Sequence, residues 1–457
     1  MRRWIYRAIA GSDGGPRLVE SVRRAGRAVR QTATGVVQRR HRPDYQVVLF
    51  MGMLMLLGLI LMYAIGPQRA NVLNEVHGTT FYTDTYFVLK QAASLTLAIA
   101  AFVVMSKMPF EFMKKHSMRF VQVGLALCAL LFVGGNLLQI DAIAVNTLGA
   151  YRWFNLGPLG SFQPAEVLKF ALLIYIATFL GKRVQEGKVN DLAATVYPVV
   201  GMSALALGIV VILQKDMGTG IAMAAIIGMM LLLSGMSWKI LGQIFLTAAI
   251  IGSLLIVFVP HRRERLMTFL LGDNAASSAH VEADDTNYHI KNAMIALGTG
   301  GFLGLGIGNS IQATGYLPEA INDSVFAIMG EIFGFVGSVL ILGLFTALLI
   351  RVLRVADKLP DISMRLAVAG VFGWLGAHVI LNVASMIGLV PLTGITLPLL
   401  SFGGTSMIFI AGALGLVYQL SQYTAHGQLR EVRYENSSSR RGERGSRYSS
   451  RRRTTRD

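Results

Sequence analysis

The chain is a series of long apolar runs separated by short polar turns, and each run is long enough to cross a membrane. A helix needs about 20 apolar residues to span a hydrocarbon core about 30 Å thick. The runs cover residues 46–66, 85–106, 119–139, 164–181, 193–213, 218–235, 239–259, 325–350, 365–389 and 405–422. No alternating pattern typical of membrane strands is visible in the sequence. The pattern therefore predicts an all-α polytopic membrane protein with ten transmembrane helices.

Composition agrees with this class, and charge predicts the topology. Apolar residues make up 53% of the 457-residue chain and charged residues 15%, a balance too apolar for a soluble fold. The net charge of +17 is concentrated in residues 1–44 and 423–457, which we interpret as basic, disordered cytoplasmic tails around a membrane domain at 45–422. Nucleic acid is not an expected partner, because the basic runs lack interleaved aromatic residues. With both termini inside, residues 260–324 form a long external loop between the seventh and eighth helices.

In this topology four segments lie on the outer side of the membrane, and each contains polar chemistry that a plain turn does not need. They are residues 140–163, 214–217, 260–324 and 390–404. Because these segments share one side of the membrane, we expect them to enclose a single outward-facing cavity.

The first outer segment, an amphipathic turn, leads into the fourth span and brings charge into the membrane. Glu166 and Lys169 are three residues apart on one face of the predicted helix, which has Pro164 in its first turn. Such a pair faces the bundle interior or water, so it is either functional or pins the helix near the surface. Arg152 is a candidate phosphate ligand, and Trp153 is either a substrate contact or an interfacial anchor.

Cations recur in the second and third outer segments. Lys215 is a candidate substrate ligand, although Lys215 and the adjacent Asp216 could simply neutralise each other. Arginines at the start of the long loop are unusual on the outer side, so they indicate an anionic ligand or a loop long enough to tolerate charge. These candidates are Arg262, Arg263 and Arg265.

Carboxylates close the long loop where the eighth span begins. Glu319 is a candidate substrate contact. If the helix starts near Pro318, Glu319 and Asp323 are neighbours one turn apart; if Asn322 caps the helix, Asp323 lies in its first turn. In both cases the helix dipole favours an ionised Asp323, which could act as a base or merely complete the cap. Glu331 lies two turns deeper, and we interpret it as a structural or relay residue.

Two segments are rich in glycine or proline. The run GTGGFLGLGIGNS, residues 298–310, predicts close backbone packing or a hinge, because no strand precedes its GxGxxG-like match. Residues 391–406 predict re-entrant backbone that lines a wet cavity. Ser401 and Thr405 in this segment are candidate substrate contacts.

No cluster of His, Cys and Asp has the spacing of a metal site, so no cofactor is predicted with certainty. A divalent cation, Mg²⁺ or Mn²⁺, could still help to neutralise phosphate charge. His378 and Asn382, one turn apart in the ninth span, are expected to make hydrogen bonds between helices rather than to bind metal.

Four of these stretches occur in the same order in a family of cell-wall enzymes. GAYRWFNLGPLGSFQPAEVLK resembles the GAxRWxxLGPxxxQPSExxK stretch of the SEDS family, the FtsW and RodA group of glycosyltransferases. QKDMGTG is similar to the family's QPDLGT, YLPEAINDSVFAIMGEIFG to LPExxTDFIFAxxGEELG, and GLVPLTGITLPLLSFGGTS to GLxPxTGxxLPxxSYGGSS. Together with the ten-span layout, the resemblance covers about residues 45–422.

The resemblance implies a peptidoglycan glycosyltransferase that polymerises lipid II at the outer face of the bacterial cytoplasmic membrane, for cell division or elongation. The family's essential aspartate falls on Asp323, which would be the general base of an inverting transfer while Arg and Lys groups hold the pyrophosphate. Implied partners are the growing lipid-linked glycan strand, a class B penicillin-binding protein and other division or elongation proteins. The long tails favour the FtsW branch over RodA.

The departures from the family motifs change side chains beside the site and keep the carboxylate. Lys215 replaces a proline, Asn322 a threonine and Ile332 a glutamate, while His289 and Asn292 replace two glutamines. Two rival functions stay open. One is a transporter that flips lipid II, and the other is a non-catalytic scaffold for division proteins.

Overall fold

The protein is a bundle of long apolar helices, as the hydrophobic runs predict. The computed structural model describes residues 42–140, 144–147, 150–157, 160–259, 263, 266–267 and 281–424. The predicted tails, residues 1–44 and 423–457, lie almost entirely outside the described residues.

Eight of the described helices are long and apolar enough to cross a membrane, and the shorter helices α6 and α11 are also apolar. The helices are α1 (Tyr45–His77), α2 (Tyr86–Lys107), α3 (Phe110–Phe132), α4 (Pro164–Gln185), α5 (Tyr197–Gly208), α6 (Met217–Leu233), α7 (Trp238–Phe258), α8 (Val281–Thr299), α9 (Val325–Lys358), α10 (Ile362–Met386) and α11 (Thr405–Ser421). Single π-helical turns extend α3 and flank α5, at Val133–Leu137, Leu192–Val196 and Ile209–Leu213. The chain is thus an all-α polytopic membrane protein, and the count of ten spans stays a prediction.

Local signals in the sequence explain where several helices begin and end. Asp44 caps α1, because its side chain accepts a hydrogen bond from the backbone N–H of Gln46. The same helix ends at Gly78, which takes the left-handed conformation (φ 60°) common at helix C-termini. Pro164 occupies the first turn of α4, and Asp361 caps α10.

Helices α4 and α10 form the centre of the bundle, and 72% of the most apolar stretch of each is buried. Helix α10 packs on α4, α6 and α9, while α3 packs on α4 and α11 packs on α2. Small residues permit this close packing: a Cβ added to Gly373 of α10 would lie 2.8 Å from the carbonyl oxygen of Ala225.

Helix α7 has the opposite character. Among its residues, all of which the structure describes, only Leu241 is buried. Leu246 is 63% exposed and Phe258 is 78% exposed. An apolar helix with so much open surface is suited to contact lipid along most of its length.

The first outer segment is a small sheet rather than the predicted amphipathic turn. Strands β1 (Ala144–Thr147), β2 (Ala150–Asn155) and β3 (Ser161–Phe162) pair antiparallel in the order β1-β2-β3. The prediction of a turn is wrong here. Aromatic residues in β2 suit a half-buried strand, but its pairing depends on contacts beyond the run itself.

The long loop predicted between the seventh and eighth spans is present between α7 and α9, and its described part is more ordered than the word loop suggests. It contains α8 and a short 3₁₀ turn at Gln312–Thr314. The glycine-rich run lies between these two elements. The loop therefore has its own scaffold immediately before the candidate base, Asp323.

Candidate functional site

Asp323 lies just outside the N-terminus of α9. Ser324 is the N-cap residue and the helix begins one residue later, so the predictions of a start near Pro318 or a cap at Asn322 are both wrong. Glu319 has a left-handed backbone (φ 49°), and it is therefore not one helical turn from Asp323. Asp323 is partly exposed, although its carboxylate oxygen Oδ1 is buried.

Helix α8 holds the start of α9 in place. The ring Nε2 of His289 hydrogen-bonds to Ser324 Oγ, and that hydroxyl donates to the carbonyl oxygen of Pro318 at 2.8 Å. Both His289 and Ser324 are buried. Sequence reasoning did not identify this contact; the only signal was that His289 stands where the related motif has a glutamine.

Asn382 of α10 fixes the main chain of Asp323. Its Nδ2 donates to the carbonyl oxygens of Asp323 and Ile395, both at 2.7 Å, and the residue is fully buried. One turn earlier, His378 Nδ1 lies 3.2 Å from the carbonyl oxygen of Thr396. Both side chains make hydrogen bonds, but the prediction that these bonds join two helices is wrong, because the acceptors are carbonyl groups of non-helical segments.

The residue before α4 ties three outer segments together. Gln163 Nε2 donates to Asp216 Oδ2 at 2.8 Å, and the backbone N–H of Gln163 donates to Thr405 Oγ1 at 3.4 Å. Thr405 Oγ1 in turn donates to the carbonyl oxygen of Ser161 at 3.0 Å. The hydroxyl of Thr405 is thus engaged within the protein, and its role as a substrate contact stays a prediction.

The segment before α11 also contacts the residues that precede Asp323. The backbone N–H of Phe402 donates to the carbonyl oxygen of Ile321 at 2.7 Å. Beside it, the buried Ser401 accepts a hydrogen bond from the backbone of Leu397 at 2.8 Å, so this hydroxyl supports the local turn.

Arg152 reaches from β2 to the turn before α6. Its guanidinium group donates to the carbonyl oxygens of Gln214 and Lys215 at 3.3 and 3.0 Å. Lys215 has a left-handed backbone (φ 54°), a conformation that a residue with a Cβ seldom adopts. Asp216 then caps α6 by accepting from the N–H of Thr219 at 3.0 Å. Arg152 therefore stabilises a strained turn, and these contacts complete one network that joins the four outer segments.

An ion pair is buried beneath these segments in α4. Lys169 Nζ lies 2.7 Å from Glu166 Oε1, and the two side chains are 0% and 3% exposed. The ammonium group also lies 4.5 Å from the ring centroid of Trp374 in α10, within range of a cation–π contact. The predicted pair is confirmed, and it faces the bundle interior rather than the membrane surface.

Glu331 anchors the loop that follows the glycine-rich run. Its carboxylate accepts from Ser310 Oγ and from the backbone N–H groups of Ile311 and Gln312, the last two at 3.0 and 3.2 Å. Glu331 is fully buried, so these three donors take the place of the water that its oxygens would otherwise contact. This arrangement agrees with a structural role.

The glycine-rich run packs against a break in α9. Gly334 interrupts the helix with φ 66°, and the exposed main chain there pairs with the run: Phe335 N donates to Gly301 O at 2.9 Å and Gly306 N to Ile332 O at 3.0 Å. A Cβ on Gly304 would collide with the carbonyl oxygen of Ile332. The prediction of close backbone packing is confirmed.

The remaining candidates are spread over the segments that the sequence predicts to lie outside. Trp153 is partly buried in β2, Glu319 is exposed, and Arg263 is exposed in the long loop. Arg262 and Arg265 lie outside the described residues. Within the part of the chain that the structure describes, no group of three His, Cys, Asp or Glu residues could hold a metal ion. The ligand roles of these side chains stay predictions.

The fold and the site together define a class of protein: a polytopic α-helical membrane protein whose outer segments converge on a partly exposed aspartate. A family model described as cell cycle protein, FTSW_RODA_SPOVE, matches residues 45–426. The chain belongs to the FtsW, RodA and SpoVE family.

Individual relatives of this family are similar to the chain along nearly their whole length. The chain is 30% identical over 407 residues to a probable peptidoglycan glycosyltransferase FtsW of Polynucleobacter necessarius, covering 86% of this chain and 89% of that protein. It is 27% identical over 391 residues to the stage V sporulation protein E of Bacillus subtilis, covering 85% and 99%.

Solved structures share the fold. One chain of a peptidoglycan synthase complex that coordinates polymerization and crosslinking superposes with a TM-score of 0.64 at 24% identity, covering 84% of this chain and 99% of that chain. The rod shape determining protein RodA of Thermus thermophilus superposes with a TM-score of 0.59 at 23% identity, covering 84% and 98%.

Proposed function

We propose that this protein is a peptidoglycan glycosyltransferase that polymerises lipid II into glycan strands at the outer face of the bacterial cytoplasmic membrane. Relatives named as probable peptidoglycan glycosyltransferases, similar over more than four fifths of the chain, support this activity. The observation that carries the chemistry is the placement of Asp323, partly exposed and with its main chain fixed by the buried Asn382. A base held in a fixed position is what removal of a proton from the attacking sugar hydroxyl requires.

Asp323 is the general base in this proposal. The 4-hydroxyl of a GlcNAc on incoming lipid II attacks the anomeric carbon of the growing strand, and its proton passes to the carboxylate of Asp323. The bond from that carbon to the undecaprenyl pyrophosphate breaks, and the pyrophosphate leaves with the electron pair. Attack opposite the leaving group inverts the anomeric centre.

Cations on the outer side stabilise the departing pyrophosphate. Arg152 contributes in part by positioning Lys215, because its guanidinium group hydrogen-bonds to the turn that contains Lys215. Arg262, Arg263 and Arg265 complete the set of candidate ligands from the long loop. A divalent cation could add to this charge, and comparing polymer yield with Mg²⁺, with Mn²⁺ and with a chelator measures that contribution.

The proposed partner is a class B penicillin-binding protein, which crosslinks the strand that this protein polymerises, together with other division or elongation proteins. Support comes from the similarity to one chain of a peptidoglycan synthase complex. In this proposal both termini lie in the cytoplasm, which the positive-inside rule predicts.

The test is polymerisation of lipid II by the purified full-length protein with its penicillin-binding partner, with glycan length read on a gel. Asp323→Asn should lower the rate by a factor of about 10² or more, because general base catalysis is typically worth that much. Asp84→Asn is the matched control, since it makes the same change at an exposed aspartate that the proposed chemistry does not use.

A normal rate in Asp323→Asn would overturn the assignment of the base. Absence of polymer from the wild-type complex, alongside movement of lipid II across proteoliposomes, would instead favour the transporter reading. If neither activity is found and cells carrying Asp323→Asn divide normally, the scaffold reading is the better one.

A further inference from the structure

A pocket lined by charged side chains lies at the end of α9 opposite to Asp323. Its volume is about 280 Å³. Three elements form its wall: the residues at the start of α1, the last turns of α9 and the end of α11. The proposed chemistry at Asp323 makes no use of it.

Helix α9 contributes a basic stripe to this pocket. Arg351, Arg354 and Lys358 are three and four residues apart, a spacing that places them on one face of a helix. Arg42 lines the pocket from the chain segment just before α1. Four cations thus share a space of the size of a small polar headgroup.

Asp44 is the one carboxylate among the described residues that line the pocket, and it is already engaged. Its Oδ2 lies 2.5 Å from Arg351 Nε, and its Oδ1 accepts from the backbone of Gln46. The backbone N–H of Asp44 donates to Ser421 Oγ at 2.9 Å, which ties α1 to the end of α11. Among the described lining residues, four cations against one carboxylate leave a net charge of +3, which favours an anion.

An apolar stripe on α1 leads away from the pocket into the membrane. Tyr45 lines the pocket, and below it Leu49, Met53 and Leu56 are 57%, 46% and 58% exposed. Their spacing of three and four residues places them on one face of α1. A charged pocket at the helix ends, continuous with an open apolar stripe, matches a molecule that has both a phosphate and hydrocarbon chains.

We propose that this pocket binds the phosphate headgroup of an anionic phospholipid, with the acyl chains lying along the exposed stripe of α1. Basic pockets between transmembrane helices at headgroup depth recognise such lipids through charge and hydrogen bonds from Arg and Lys. A soluble phosphate compound would contact the basic side chains but not the exposed apolar stripe of α1, so a lipid accounts for both features. If the termini lie in the cytoplasm, as proposed above, the bound lipid belongs to the cytoplasmic leaflet. The proposal that the pocket binds lipid does not depend on this orientation.

The test uses the purified full-length protein in detergent and measures retained lipid by native mass spectrometry and thermal stabilisation during titration. The probes are phosphatidylglycerol, phosphatidylcholine and soluble glycerol 3-phosphate. The pocket variant combines Arg42→Gln, Arg354→Gln and Lys358→Gln, all at exposed positions. The matched control combines Lys107→Gln, Lys182→Gln and Lys188→Gln, three exposed lysines that do not line the pocket.

We expect phosphatidylglycerol to bind the wild type and the control variant equally, and to bind the pocket variant about tenfold more weakly or worse. Phosphatidylcholine should bind all three weakly. Equal binding of phosphatidylglycerol by the pocket variant overturns the proposal. Competition by glycerol 3-phosphate at the same concentration as the lipid overturns the lipid assignment and identifies a soluble ligand. Since the measurement is binding and not polymerisation, its failure is distinct from failure of the proposed function.

Discussion

Both hydrogens of the Asn382 amide are used to hold the main chain around Asp323. Asn382→Leu keeps a similar volume but leaves two carbonyl groups without their donor. At about 1 kcal/mol for each net hydrogen bond, we expect kcat for lipid II polymerisation to fall roughly tenfold or more with KM little changed. Thr178→Val is the control, because that hydroxyl bonds to a carbonyl of its own helix. An unchanged kcat in Asn382→Leu would show that Asp323 does not depend on this clamp.

The buried pair in α4 makes a second prediction at this scale. Lys169→Met removes the ammonium group and leaves Glu166 in an apolar interior, which destabilises a protein by about 3–5 kcal/mol. The melting temperature should therefore fall sharply, and adding Glu166→Gln to the same chain should recover most of the loss. If the double variant melts no higher than Lys169→Met alone, packing against Trp374 and not charge pairing explains the role of Lys169.

Individual residues differ in how far sequence could predict them. Glu166 and Lys169 were found because their contact is local to one helical turn. The start of α9 was not predicted correctly, because Asn322, Asp323 and Ser324 are all good N-cap residues and tertiary contacts decide between them. The deciding contact comes from His289, which is 35 residues away in the chain.

At the scale of elements, the contact between the glycine-rich run and α9 can be tested with two glycines that lie two residues apart. A Cβ on Gly300 would collide with the carbonyl oxygen of Gly330, whereas a Cβ on Gly298 would meet nothing within 4 Å. Gly300→Ala should therefore separate the run from the break in α9 and raise hydrogen exchange across residues 300–315. Gly298→Ala should leave exchange unchanged or slower. Equal exchange in the two variants would contradict the close packing.

The helices followed from the apolar runs, since only helices of that length satisfy backbone groups in lipid. The small sheet did not, because pairing between β1 and β2 is a contact across a turn that no periodicity in the short strands reports. Helix α8 was missed for a related reason. It is polar enough to lack a transmembrane signal, so the sequence showed only a long gap between two spans.

At the scale of the whole molecule, the orientation in the membrane can be measured with single cysteines. Cys128 is fully buried and forms a silent background. Ile307→Cys, at a site 54% exposed in the outer loop, should react with a membrane-impermeant maleimide on intact cells. Lys188→Cys, exposed between α4 and α5, should react only after permeabilisation. The reverse pattern would place Asp323 in the cytoplasm and rule out polymerisation at the outer face.

The open surface of α7 affects how the sequence of this helix can change over time. Lipid tails pack about as well against leucine as against isoleucine or phenylalanine. A lipid-facing position therefore requires an apolar side chain but not one of a particular shape. Only Leu241 among the residues of α7, all of them described, sits within the protein interior. Substitutions along the rest of α7 are consequently limited only by the need for an apolar side chain. Substitutions in α4 and α10 are also limited by packing against the neighbouring helices.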